Sequence, residues 1–128
     1  MATWTSDELS RIGAAEELQI AARRGDGTLR PPVIIWVVRD GDDVYVRSVN
    51  GPASAWFRGT RARQEGHIRA GGVDQDVSFV DADDALSQRI DEAYRSKYRR
   101  YAASIIEHIT SPQARSATIK LVPKGLTG

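Results

Sequence analysis

The sequence predicts an α+β domain, a six-stranded antiparallel β-barrel with peripheral helices. Three observations predict it. Six short segments have strand composition or strict alternation, glycine-bearing turns join most of them, and the helical patterns do not alternate with the strands one for one. The length of 128 residues suits one domain over 1–128, with no repeat and no interdomain linker.

The elements follow in order. Thr5-Ser6-Asp7-Glu8 has the shape of a capping box, and Leu9 and Ile12 continue it at helical spacing, so a helix runs to about Gly13–Ala15. Glu17–Arg24 reads as a strand and Gly25-Asp26-Gly27 as a tight turn. Arg30–Arg39 is the strongest strand, rich in β-branched and aromatic residues, with Pro31-Pro32 confined to its start because proline donates no ladder bond. After the Asp40-Gly41-Asp42 turn, Asp43–Val49 alternates: Val44, Val46 and Ser48 face one way, Tyr45, Arg47 and Val49 the other. Asn50-Gly51-Pro52 breaks that strand, and Ala53–Gln64 reads as a helix. Gly66–Ala70 and Val73–Val80 form a hairpin around Gly71-Gly72. The acidic turn Asp81–Asp84 opens a polar helix, Ala85–Tyr101, whose apolar positions Leu86, Ile90, Ala93, Tyr94 and Tyr98 recur every three or four residues. Ile105–Ile109 continues helically, Ser111-Pro112 restarts the chain, and Ala117–Val122 is a last strand.

Composition excludes several classes of function. The net charge of +1, from 18 basic and 17 acidic residues, does not suit a whole-surface nucleic-acid or membrane binder. With no cysteine there is no disulfide, thiolate catalysis or Cys-type zinc site. The longest apolar run, Val33–Val38, is far short of a membrane span, and Met1-Ala2-Thr3-Trp4 lacks the basic and apolar regions of a signal peptide, so a cytoplasmic location is expected. His67 and His108 have no metal-ligand spacing, and no metal is expected. Ser48, Ser54 and Ser104 sit in no nucleophile elbow. Asp81, Asp83 and Asp84 lack a calcium-loop pattern.

The informative stretch is Arg47-Ser48-Val49-Asn50-Gly51 with Trp56 and Arg58. A strand ends in a cation and a hydroxyl, a glycine permits close backbone approach, and a helix start offers free N–H groups to an anion. Arginine supplies a forked donor set for phosphate, and Trp56 either stacks on a planar ring or anchors a core. An exposed strand-end arginine with a core tryptophan is the plainer alternative. Arg58, Arg61 and Arg63 are either a solvated helix face or an anion site. Lys97, Arg99 and Arg100 among Tyr94, Tyr98 and Tyr101 either grip an acidic tail or snorkel over the core.

The chain resembles a family of uncharacterised domains within the FMN-binding split-barrel group. The resemblance is carried by Trp4-Thr5-Ser6-Asp7-Glu8-Leu9, Asp26-Gly27-Thr28-Leu29-Arg30, Ile35-Trp36-Val37-Val38-Arg39, Asp43-Val44-Tyr45-Val46-Arg47-Ser48, Gly51-Pro52 with Trp56-Phe57-Arg58, and Ile68-Arg69-Ala70-Gly71-Gly72-Val73. It covers the chain from about Trp4 to Pro123 and implies that the barrel is a split barrel. The wider group includes pyridoxamine 5′-phosphate oxidases and deazaflavin (coenzyme F-420) dependent reductases. The Gly51-Pro52 to Arg58 segment looks like the G-x-x-x-x-W-x-x-N stretch of those reductases, with Gly59 in the place of the asparagine.

The resemblance implies a flavin-type cofactor, deazaflavin or FMN, with its ring against Pro31–Trp36. Arg30, Pro32 and Ile34 would border the ring. Arg47, Ser48, Asn50, Gly51 and the following helix start would meet its phosphate, and Trp56 and Arg58 would support the site. Arg61 and Lys97 would meet the polyanionic tail of a deazaflavin, which favours deazaflavin over FMN. A homodimer is implied too, with cofactor near the interface. The activity expected is an oxidoreductase acting on a small planar or unsaturated substrate, with no protein nucleophile required because the ring carries the hydride. Two other classes stay open: a non-catalytic cofactor carrier, and an interaction domain that has lost the site.

Overall fold

The computed structural model describes residues 3–124; Met1 and Ala2, part of the N-terminal stretch considered above, lie outside them. Seven strands form one antiparallel sheet: β1 (Leu18–Ala22), β2 (Val33–Ile35), β3 (Val37–Asp40), β4 (Asp43–Arg47), β5 (Glu65–Ala70), β6 (Val73–Asp81) and β7 (Thr118–Pro123). Their order is β2-β1-β5-β6-β7-β4-β3. The two edge strands are neighbours in sequence, separated only by Trp36. The sheet therefore curls into a nearly closed barrel whose seam is bridged by the chain itself.

The α+β barrel is the expected one with a single difference. The segment read as one strand, Arg30–Arg39, is divided at Trp36, and its halves pair with opposite edges. Its first half is also shorter than expected, because the two prolines and Arg30 precede β2.

Alternation sets two cores. Val37, Val44, Val46, Ile68, Val77, Ile119 and Leu121 point into the barrel, with Leu9 and Ile12 of α1 (Ser6–Ala14) closing one end. The capping box of α1 is present, Thr5 and Glu8 each bonding the other's backbone. Val38 and Tyr45, paired across β3 and β4, point outward into a second cluster under Ile90, Tyr94 and Tyr98 of α3 (Ser87–Lys97) and Ile109 of α4 (Ala103–Ile109). A short helix α5 (Pro112–Arg115) then leads into β7. Between β4 and β5, a 3-10 turn over Gly51–Ala53 precedes α2 (Ala55–Arg63). Among the described residues no helix is long and apolar enough to cross a membrane.

The β5–β6 hairpin carries a charge cluster with a testable consequence. His67 faces Asp76 across the ladder, Nδ1 to carboxylate 2.7 Å, and its Nε2 meets Asp74. Partial burial pulls the imidazole pKa down, but the hydrogen bonds and charges of Asp76 and Asp74 outweigh it, and the value lies above the usual 6.5. A raised folded-state value makes this contribution full below 6.5 and lost as pH rises through the folded value. The carboxylates are half exposed, so the effect is at most about 1 kcal/mol. Urea denaturation is expected to show a drop in stability from about pH 6 to about pH 9 that is larger in the native chain than in His67→Gln.

Candidate functional site

The seam of the barrel positions the site. Trp36 leaves both ladders, and its ring stacks on Tyr98 with centroids 3.8 Å apart and planes within 2°. The Tyr98 hydroxyl replaces part of the missing ladder: it accepts from the Val37 N–H at 3.1 Å and donates to the Glu16 carbonyl at 2.8 Å. Lys97 Nζ donates to the Val37 carbonyl at 2.6 Å and sits over the Tyr98 ring. Burial pulls the Lys97 pKa down to about 8. Lys97 is thus a brace at the seam; it lines a depression with Arg39 rather than either of the cavities that Trp56 lines.

Two small cavities share Trp56 as a lining residue. The first, about 240 Å³, runs between Trp36 and Trp56. Ile34 and Ile35 form its floor, Val49 one rim, and Ile105 and Ile109 of α4 the other. Ile34 is 58% exposed and Val49 and Ile105 44% each, so the slot is apolar and open. The second cavity, about 210 Å³, lies between α2 and β1 and is lined by Ile20, Ala22, Val33 and Thr60 together with Arg30 and Trp56.

Arg47 reaches the first cavity, but its guanidinium is engaged inside the protein. Nη1 bonds Asp91 at 2.5 Å and the Ile109 carbonyl at 3.1 Å, Nε bonds Thr118, and Nη2 bonds the Ser87 carbonyl. Both Arg47 and Asp91 are buried, and Arg115 holds the second Asp91 oxygen. Arg47 was expected to meet a phosphate, and the structure places its guanidinium in an internal ion pair: Tyr45 and Arg47 share the outward face as the alternation predicted, but α3 and α4 cover that face, and a buried cation requires the counter-charge Asp91 supplies. At Gly51, φ is 77° and an added Cβ would stand 2.3 Å from Gln113 Cγ, so the glycine makes room for Gln113. Gln113 Nε2 donates to the Asn50 carbonyl at 2.7 Å, which takes up that residue's backbone acceptor.

The remaining expected residues divide. Ser48 is buried with its hydroxyl 2.6 Å from that of Ser54, tying β4 to the start of α2. Ser54 makes no side-chain cap, so the first N–H groups of α2 are not capped from within the chain. Ile34 and Trp56 line the slot, and Arg30 lines the second cavity. Pro32 is exposed and lines neither cavity, its place being taken by Pro31 at the second. Arg58 is exposed and lines neither; Arg61 pairs with Asp81 at 2.6 Å and lies over the Phe57 ring. Arg61, expected to meet an anionic tail, is half exposed in this surface pair.

The sequence reading missed Val49, Ile105 and Ile109, and it took Trp36 only as the end of a ring-facing strand, not as a slot wall. Trp36 carried a signal, a large aromatic in the middle of an aliphatic run. Asp91, the decisive carboxylate, also carried one: it stands between Ile90 and Tyr94 on the buried side of α3. Among the described residues no group of three or more His, Asp or Glu could hold a metal.

A seven-stranded antiparallel barrel sealed by its own chain, with an apolar slot between two tryptophans at the seam, defines a small split-barrel domain. The chain belongs to DUF2255, a family of uncharacterized proteins conserved in bacteria, whose profile matches residues 8–121. No curated protein matches it in sequence. Solved structures share the fold. An F420 reductase superposes with a TM-score of 0.59 at 14% identity, over 91% of this chain and 92% of that one. A putative pyridoxamine 5′-phosphate oxidase from Listeria innocua gives 0.62 at 16% over 91% and 90%. HutZ, a heme storage protein from Vibrio cholerae, gives 0.61 at 14% over 98% and 92%. At these identities the likeness is one of fold.

Proposed function

We propose that this chain binds the flat ring of a flavin-type cofactor in the slot between Trp36 and Trp56 and serves as an oxidoreductase on a small planar or unsaturated substrate. The observation that carries the reading is the slot itself: two indoles and aliphatic side chains, at the barrel seam, with one open side. The residues fit a ring. Ile34 offers an exposed apolar side chain to it, and the start of α2 beside Ser48 and Ser54, where Ser54 makes no side-chain cap, offers neutral donors to an attached phosphate. The F420 reductase and oxidase that share the fold support the same reading.

The donors beside the slot favour deazaflavin over FMN at the phosphate itself. A terminal phosphate monoester carries about −1.5 to −2 and calls for converging cations. The Arg47 guanidinium is balanced by Asp91, so what remains suits the single charge of a phosphodiester, with the carboxylates of the tail extending from the slot into solvent. The hydride chemistry belongs to the ring when it is bound. The chain's own part is to grip the ring, exclude water from one face and donate to the phosphate. A second copy of the chain would cover the exposed Ile34, Val49 and Ile105 and deepen a slot that is small for such a ligand, which makes a homodimer part of the proposal. A carrier role is the second reading, favoured by the lack of any titratable side chain on the slot wall other than Arg47.

Titration with deazaflavin and with FMN, followed by cofactor fluorescence, tests the reading. Deazaflavin is expected to bind more tightly than FMN, and Ile34→Asp, a change at an exposed position, to weaken binding by about tenfold or more by placing a charge on the floor. Bound deazaflavin that is never oxidised by any small acceptor would leave the carrier. No binding of either ring would overturn the proposal.

A further inference from the structure

The second cavity lined by Trp56 has a cation with no counter-ion. Among the described residues Arg30 makes no salt bridge and no side-chain hydrogen bond, and its Nε is buried without any acceptor. A buried donor left in this state is unfavourable until an acceptor reaches it. The chain nevertheless makes room for it. Helix α2 carries glycine at position 59, and a Cβ there would stand 3.0 Å from Arg30 Nε and 3.1 Å from its Cδ. A larger residue would crowd the guanidinium in the notch and force it to shift. The Arg30 backbone is fixed as well, its N–H donating to the Ala22 carbonyl at 2.8 Å.

The rest of the cavity is apolar: Ile20, Ala22, Pro31, Val33 and the Trp56 face, with the Thr60 hydroxyl turned to its own helix through the Phe57 carbonyl at 2.6 Å. About 210 Å³ holds one six-membered ring, since an apolar protein cavity of about 150 Å³ takes up benzene. One arginine with no second cation matches one negative charge, and its planar fork matches a carboxylate. A phosphate would bring more charge and more acceptors than this wall can satisfy.

We infer that the cavity bounded by Arg30, Gly59 and Trp56 is a binding site for a small apolar monocarboxylate, whose carboxylate meets the Arg30 guanidinium and whose ring or branched chain packs on Trp56 and Val33. The site is distinct from the slot proposed for the flavin-type ring, sharing only Trp56 with its lining, and it does not depend on that reading.

Calorimetric titration of the native chain with benzoate, and with benzamide as its uncharged counterpart, tests the inference directly. Benzoate is expected to bind with a dissociation constant near 1 mM or below, and benzamide about tenfold more weakly. Arg30→Gln should erase that preference, and Gly59→Ala, which crowds the guanidinium, should reduce it. Ile34→Asp, on the other cavity, should leave benzoate binding unchanged while weakening the flavin-type ring, so the two proposals fail separately. No benzoate binding at about 10 mM, equal binding of benzoate and benzamide, or a preference that survives Arg30→Gln would each overturn the site. The comparison of the two ligands needs no variant, so a folding defect in Arg30→Gln leaves the test intact.

Discussion

Asp91→Asn is expected to destabilise the protein by about 3–5 kcal/mol, the cost of leaving a buried charge without its partner. Arg47 and Asp91 have side-chain exposures of 0% and 1%, and their contact lies between β4 and α3, beneath α4. The asparagine keeps the shape and loses the charge, so the Arg47 guanidinium would remain buried among carbonyls and one hydroxyl. Urea denaturation followed by circular dichroism measures the loss. Arg47→Met is expected to cost less than Arg47→Ala, because it fills the volume, but both leave Asp91 with Arg115 alone. A loss below about 1 kcal/mol for Asp91→Asn would mean that water reaches the pair. The result bears on function, because a loss of cofactor binding in an Arg47 variant would report a disturbed α3 and α4 wall rather than a lost phosphate contact.

What the sequence made legible was local. The capping box at Thr5, the Gly71-Gly72 hairpin and the alternation in Asp43–Val49 all depend on neighbours in the chain, and each is present. The antiparallel barrel followed from counting such segments. The break at Trp36 was not legible, because Val33–Ile35 and Val37–Val38 have the same β-branched character. What divides them is Tyr98, sixty-one residues further on, which takes the Val37 N–H out of the ladder. The same limit explains Arg47. Alternation put Tyr45 and Arg47 on one face, but only the tertiary packing of α3 turns that face from a solvent edge into a second core. Gly51 and Gly59 were both visible as small residues beside Trp56. That one admits Gln113 and the other Arg30 required knowing which side chains return to them.

Trp36→Ala is expected to show the second large effect, a destabilisation of about 3 kcal/mol together with loss of ring binding. Complete burial of a tryptophan would put its truncation at about 3–5 kcal/mol, and Trp36 is half-buried, so the lower end applies. Stacking on Tyr98 at 3.8 Å adds an aromatic contribution of about 0.5–1.5 kcal/mol that alanine forfeits. The residue joins the two edge strands, so the loss should fall on closure of the barrel. Hydrogen exchange at Val37, whose amide is bonded to the Tyr98 hydroxyl, would rise before that of β5 or β6. Trp36→Phe separates the two consequences: it retains a ring on Tyr98 and should recover most of the stability, while the shorter wall leaves the slot too wide to clasp a flat ligand. Exchange at Val37 that stays slow in Trp36→Ala would show that Tyr98 and Lys97 hold the seam without the indole, and the slot would then owe its shape to the backbone alone.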